Sequence, residues 1–316
     1  MALPLKPPVL PQLARPRAAL PEGDEWAYEP KLDGFRAIAF VDGDDVRLQS
    51  RNGKPLERYF PEIGFPPGQY VLDGEIVIPH DGGGEEFNLL QQRIHPAASR
   101  IERLAAETPA RFTAFDLLAR DGEKWLDRPF ADRRAGLEEL AKKTGKELHL
   151  IPLVTKPADA EPWLRSAEGV IAKELGAKYL PGERKGFVKV KRVRTIDCVV
   201  VGWRPGKEEG TVGSLILGLY EGKNLRVVGH TSGFKAKEKR ELVAQLAPYE
   251  TGERGSGEKS RWTTDRDLEW VSLRPELVVE VTFDHASDGR IRHGAKIQRW
   301  RDDKPPRQCL FEQLDA

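Results

Sequence analysis

The sequence predicts an α+β protein of two domains: antiparallel sheets with flanking helices over residues 1–194, then a β-barrel over residues 195–316. Three observations carry that prediction. The length of 316 residues is about twice the ~150 usual for one domain. Up to Arg194, strand-spaced apolar runs alternate with helix-spaced ones. Beyond Arg194, short β runs separated by glycine-rich turns are interrupted by a single helical stretch.

Residues 1–25 read as an extended, proline-rich lead-in. From Glu25 to Val41 the residues Trp26, Tyr28, Phe35, Ile38 and Phe40 fall at strand spacing. Asp42-Gly43 signals a turn, and Val46 and Leu48 resume the pattern, which predicts a hairpin. Tyr70–Ile78 predicts a strand, closed by Pro79 and the run Gly82–Gly84. Phe87, Leu90 and Ile94, then Ile101 and Leu104, recur at helical spacing with a break at Pro96. Arg111–Leu118 predicts a strand, Asp132–Lys143 a helix, and Glu168–Glu174 and Gly186–Val193 two short strands. In the second domain Cys198–Trp203, Ser214–Tyr220, Leu225–His230 and Leu277–Phe283 predict strands and Lys235–Leu246 a helix. That content fits a small closed barrel of the OB type. Thr251–Ser260 lacks the adjacent Gly-Lys-Ser/Thr of a P-loop and predicts a disordered loop.

Composition bounds the function. Hydrophobic residues make up 39% and charged residues 32%, with a net charge of +1, which excludes wholesale disorder. No apolar run reaches the ~18 residues of a membrane span. The first twenty residues are broken by prolines, so a cytoplasmic location is expected. Cys198 and Cys309 are the only cysteines and make no disulfide framework. The six histidines are scattered and predict no ligand cluster. Near-neutral charge leaves nucleic acid open as a partner, because one basic face suffices for binding.

The strongest local signal is Glu29-Pro30-Lys31-Leu32-Asp33-Gly34-Phe35-Arg36. A lysine in an aromatic-flanked strand segment, followed at once by Asp, Gly and Arg, is unusual for a solvated turn. By themselves these eight residues leave that turn open. KLDGFR resembles motif I of the covalent nucleotidyltransferases, the superfamily of ATP-dependent DNA ligases, RNA ligases and mRNA capping enzymes. Further motifs follow in that family's order. Ser50-Arg51-Asn52-Gly53 resembles motif Ia, Leu72-Asp73-Gly74-Glu75 motif III, and Phe112–Leu118 motif IIIa. Glu168–Lys173 resembles motif IV and Phe187–Lys191 motif V. Gln91–Pro96 and Tyr179–Arg184 narrow the likeness to compact bacterial ligases, particularly the stand-alone actinobacterial Ligase C type. The likeness covers essentially the whole chain.

The resemblance implies an N-terminal adenylation domain, a C-terminal OB domain and a lysyl-AMP intermediate. Lys31 would be the nucleophile. A free lysine amine is almost wholly protonated at neutral pH, and nearby cations disfavour the ammonium. Lys189 and Lys191 would supply them beside the α-phosphate, since alternate strand positions share a face. A basic strand face serving only DNA contact is the competing reading. Glu75 and Glu168, taken as carboxylates at strand ends, suit Mg²⁺, with Mn²⁺ as a substitute. Glu29, Arg36, Phe115 and Lys173 would contact the nucleotide, with Phe115 stacked on adenine; plain core packing is that residue's alternative. Arg36, Arg51, Arg184 and Arg299 would contact DNA, and Asp33 would act in later steps at the nick.

The basic run Arg290–Lys304 resembles motif VI, which in relatives engages the β- and γ-phosphates of ATP. Arg292 and Arg301 are its nucleotide-binding candidates. His293-Gly294 replaces the more general Arg-x-Pro pattern, which leaves open which of Arg292, Arg299 and Arg301 does what. The resemblance therefore implies a monomeric ligase sealing nicked double-stranded DNA in repair, with a primase-type polymerase and Ku as partners. An RNA ligase, a capping-type enzyme and a degenerate DNA-binding module are the alternatives. FTAFDLL and SRNG favour the DNA ligases, and the intact Lys31, Glu75, Glu168 and Lys189 set argues against a degenerate module.

Overall fold

The computed structural model describes residues 3–79, 85, 87–144, 148–191, 194–256, 269–284, 286–287, 289–291 and 294–314. The chain divides into two compact units, Met1–Arg192 and Val193–Ala316.

In chain order the first unit contains β1 (Arg15–Pro16), β2 (Trp26–Pro30), β3 (Phe35–Gly43), β4 (Asp45–Ser50), β5 (Gly68–Val77), α1 (Phe87–Gln92) and α2 (Ala98–Glu107). β6 (Arg111–Arg120), β7 (Glu123–Lys124), α3 (Phe130–Thr144), β8 (His149–Leu150), α4 (Pro157–Ala160), α5 (Trp163–Ser166), β9 (Val170–Glu174) and β10 (Phe187–Val190) follow. They build two sheets. One runs β4-β3-β5-β6-β7 with β8 beside β6, and the other runs β1-β10-β9-β2. The expected hairpin is β3–β4, turning at Gly43 with φ of +68°. The sheets are antiparallel except at two edges, where β1 joins β10 and β8 joins β6 in parallel.

β3 is buried on both faces, which explains its continuous apolar run. Ala37, Ala39 and Val41 pack with Leu72 and Leu137, whereas Ile38 and Phe40 pack with Leu5, Val9 and Tyr179. The lead-in therefore covers one face of the larger sheet, and is not a loose tail. Each fully buried aliphatic side chain contributes about 1.5–3 kcal/mol. The segment before motif IV forms α4 and α5, and Trp163 and Leu164 pack against Trp26 and Tyr28.

The second unit contains β11 (Arg194–Pro205), β12 (Val212–Glu221), β13 (Asn224–Thr231), α6 (Ala236–Leu246), β14 (Glu250–Ser256), β15 (Glu269–Leu273), β16 (Val278–Phe283), β17 (Ala286–Ser287), β18 (Arg290–Ile291) and β19 (Lys296–Trp300). β13-β12-β11-β16-β19 pair in sequence, and a bridge between Thr231 and Ala295 joins β19 back to β13. That ring is the closed five-stranded barrel of the OB type. Thr251–Ser260 is not a disordered loop where it is described, because Thr251–Ser256 lies in β14 and pairs with β15. Its sequence has no apolar alternation, so only the pairing with β15 makes it a strand. Residues 257–260 and Gly82–Gly84 lie outside the described residues. No helix among the described residues is long and apolar enough to cross a membrane.

Candidate active site

The site lies in the first unit, in a cleft lined from both sheets. Lys31 occupies the short connection from β2 to β3. Its backbone N–H donates to Gly169 O (2.8 Å), and its carbonyl accepts from Glu168 N (3.2 Å). This places the motif I lysine against the motif IV carboxylate, 137 residues away. Gly34 completes the connection because a Cβ there would lie 2.2 Å from Ile76 O.

Glu168 is the charge hub. Lys31 Nζ donates to its Oε2, and Lys191 Nζ lies 2.6 Å from its Oε1. Against the upward push of burial, these ammoniums hold Glu168 below the ordinary carboxylate range. Lys189 is pushed down by burial first and then by Lys191 and Lys31. The expected cationic surroundings of Lys31 are thus present. Lys189 lies in β10, while Lys191 lies just past its end.

Neither acidic residue stands at a strand end as expected. Glu75 is inside β5, opposite Arg36 on β3, and Glu168 precedes β9 by two residues. Both supply hard oxygen donors beside Lys31: Glu75 feels the charges of Lys31 and Glu168, and Glu168 those of Lys31 and Lys191. Desolvation pushes Glu75 up to about 8, against the opposing charges of Arg36 and Lys31. Among the described residues no group of three or more His, Cys, Asp or Glu could hold a metal. Two carboxylates therefore fit a cation that takes its remaining ligands from phosphate and water, as Mg²⁺ does.

The raised Glu75 value has a stability consequence. Between the ordinary value of 4.5 and about 8 the folded chain keeps a proton that the unfolded chain releases. This contribution is complete below 4.5 and is lost as pH rises through about 8. Urea titrations without divalent cation, at pH 5, 6.5 and 8, should show stability falling with pH, and Glu75→Gln should flatten that fall. Equal slopes in both proteins would refute it.

The inner end of the cleft is built on a buried ion pair. Glu29 Oε2 and Lys173 Nζ are 2.7 Å apart, each side chain 2% exposed. Burial raises the Glu29 carboxyl and lowers the Lys173 ammonium, so the site resists charge at both partners. Among the described residues Glu29 Oε1 has no hydrogen-bond partner, although Arg134 Nη1 lies 3.7 Å away. Phe115 lines the cleft, with Lys173 Nζ at 4.6 Å and the Arg36 guanidinium at 4.8 Å from its centroid. Core packing alone does not describe it.

A groove continues from Lys31, Arg36 and Glu75 past Arg51, Lys54 and Arg58. Asp33 is half-buried in the Lys31 connection, and Arg184 is exposed, close enough to lower Lys189. Sequence reasoning gave no role to Gln12, Asp73 or Tyr179, which cluster behind Arg36. Asp73 stood inside a quoted motif, but nothing in the lead-in marked Gln12.

In the second unit the motif VI candidates separate. Arg301 Nη1 donates to both oxygens of Asp197 (2.9 and 3.1 Å), and its Nε and Nη2 donate to Asp303. Lys304 also donates to Asp197 (2.6 Å). Arg299 is more exposed and donates to Glu280 (2.6 Å). Arg292 and His293 lie outside the described residues.

Comparison with known proteins gives the same direction. A family model described as "ATP dependent DNA ligase domain" matches residues 10–191, and one for the "ATP dependent DNA ligase C terminal region" matches residues 208–304. The chain is 45% identical to DNA ligase C1 of Mycolicibacterium smegmatis, over 100% of this chain and 96% of that protein. It is 44% identical to DNA ligase C of Mycobacterium tuberculosis, with the same coverage. A solved mycobacterial DNA ligase D complexed with ATP and MES is 30% identical, has a TM-score of 0.54, and is covered over 98% of its length by 96% of this chain.

Proposed function

Since this chain belongs to the ATP-dependent DNA ligase family, we propose that it seals nicks bearing a 3′-hydroxyl and a 5′-phosphate through a lysyl-AMP formed on Lys31. The observation that carries the assignment of Lys31 is its contact with Glu168 beside Lys189 and Lys191, at the mouth of the cleft lined by Phe115. Lys31 Nζ, having given up a proton, attacks the α-phosphorus of ATP; an N–P bond forms and pyrophosphate leaves. An oxygen of the nick's 5′-phosphate then attacks the same phosphorus, the N–P bond breaks, and the amine regains a proton. Finally the 3′-hydroxyl attacks the 5′-phosphorus, a phosphodiester forms, its proton is lost and AMP departs.

The residues divide these tasks. Lys189 and Lys191 compensate charge on the α-phosphate, and Lys31 is held by Glu168 until substrate displaces that contact. Phe115 offers its ring to the adenine, while Glu29 and Lys173 line the base end. Bound Mg²⁺, or Mn²⁺ in its place, would be held by Glu75 and Glu168 and would neutralise phosphate charge. Asp33 serves the later steps; Arg51, Arg184 and Arg299 take DNA phosphates, and Arg292 and Arg301 the phosphates of ATP. The first unit, with its boundary near Arg194, is the adenylation domain, and the second is the OB domain. We place the protein, as a monomer, in the bacterial cytoplasm, acting in repair beside a primase-type polymerase and Ku.

The test is a single-turnover chase. Protein loaded with α-labelled ATP and Mg²⁺ should retain covalent label and discharge it on nicked duplex DNA, with a sealed strand as product. Label from GTP alone, or label that never leaves for a nick, would overturn the reading.

A further inference from the structure

Arg36 stands where the nucleotide cleft meets the adjoining groove and lines both. Much of its hydrogen-bonding capacity is committed behind it. Nε donates to Asp73 Oδ1 (2.8 Å), and Nη2 donates to Asp73 Oδ2 (2.7 Å) and to the carbonyl of Gln12 (3.0 Å). Of the five guanidinium N–H bonds, those on Nη1 donate to no acceptor among the described residues. The guanidinium carbon lies over the Phe115 ring, 4.8 Å from its centroid.

The clamp behind Arg36 is itself fixed. Asp73 is fully buried and accepts a further hydrogen bond from Tyr179 Oη (2.6 Å). Tyr179 Oη accepts in turn from the backbone N–H of Gln12 (3.0 Å). The Gln12 side chain, also fully buried, accepts from Leu180 N (2.9 Å) and donates to Lys185 O (2.5 Å). The lead-in is thereby stitched to the segment before motif V, and both hold one arginine.

We propose that Asp73, Tyr179 and Gln12 are positioning residues that aim the Nη1 edge of Arg36 at a phosphate oxyanion, at the point where AMP passes from Lys31 to the 5′-phosphate of the nick. A guanidinium edge with two N–H bonds matches two phosphate oxygens, which a lysine point charge does not reproduce. Fixing the fork during folding removes rotamer freedom that binding would otherwise have to remove. The proposal rests on the ligase reading with Lys31 as nucleophile. It narrows the expected contact of Arg36 with AMP or the nick phosphates to the transfer step and adds the residues that aim it.

Three rates test it: loading from α-labelled ATP, transfer from preloaded protein to a nick, and sealing of a synthetic pre-adenylated nick. Arg36→Lys should slow transfer by about 10²-fold and loading far less. Tyr179→Phe, which removes one hydroxyl, should slow the same step by about 3–10-fold. Guanidinium at millimolar concentration should restore transfer in Arg36→Ala but not in Arg36→Ala/Asp73→Asn, with KCl at equal ionic strength as the control. Should Tyr179→Phe fail to fold, Gln12→Ala carries the test, because it keeps the carbonyl that Arg36 uses. Equal slowing of all three steps, or transfer untouched by Tyr179→Phe while Arg36→Lys slows it, would overturn the proposal. A wild-type protein that loads but never transfers to a nick would instead sink the ligase reading, and this proposal with it.

Discussion

Lys31→Ala is expected to abolish covalent labelling by ATP, lowering nick sealing from ATP by about 10⁴-fold or more. The side chain supplies the atom that bonds to phosphorus, so no neighbour replaces it. Lys189 and Lys191 lie in or beside β10, and Lys191 is engaged with Glu168. Neither occupies the connection at Gly169 that holds Lys31. The variant should nevertheless seal a synthetic pre-adenylated nick, since that step needs no lysyl-AMP. Measured label in the alanine protein, on a denaturing gel kept at alkaline pH where a lysine phosphoramidate survives, would mean that another residue is the nucleophile. Folding should be nearly unaffected, because the Lys31 side chain is only partly buried.

Arg133→Met is expected to destabilise the chain by about 3–5 kcal/mol, a large share of the 5–15 kcal/mol typical of folded domains. Arg133 on α3 and Asp116 on β6 are both fully buried, joined through Nε (2.7 Å) and Nη2 (3.0 Å). Arg133 also donates to the carbonyls of Arg128 (2.6 Å) and Ala177 (3.0 Å). Removing the guanidinium leaves Asp116 charged in a low-dielectric interior, beside the Phe115 of the cleft. Arg133→Met/Asp116→Asn leaves no unpaired charge and should cost less than the sum of the single variants. Urea unfolding followed by circular dichroism decides this; additive single effects would show that the two side chains do not form a unit.

The strands and helices of the first unit were legible because their apolar periodicities are strong: β5, β6 and α3 were each expected within a few residues, while the single run Glu25–Val41 divides into β2 and β3 in different sheets. β14 and β15 were not legible, nor was β19 within the basic run. ETGERGS carries no alternation, and its pairing partner sets its conformation. Among the described residues the barrel closes through the bridge of Thr231 to Ala295, which no local pattern encodes. The parallel edges β1–β10 and β6–β8 were likewise absent from a reading of antiparallel sheets, because parallel partners lie far apart in sequence.

The site divides in the same way. The order of motifs marked Lys31, Glu75, Glu168, Lys189 and Lys191, because the chemistry constrains residue type locally and each motif is short. The partners that set their behaviour were invisible. Glu168 was expected as a cation ligand; in the fold it bridges two lysines, a charge arrangement that exists only when β9, β10 and the Lys31 connection converge. Gln12 in a proline-rich lead-in carries no sequence signal, but burial obliges its amide to find partners, and it finds them 168 and 173 residues away.

The sequence by itself determined the chemistry and the local elements, since nucleophile, charge type and periodicity are properties of neighbouring residues. Only the tertiary structure decided which charges face one another, how far burial shifts them, and which edge of Arg36 remains for a phosphate. Those depend on desolvation and on contacts between residues more than a hundred positions apart, which the fold creates and no local pattern contains.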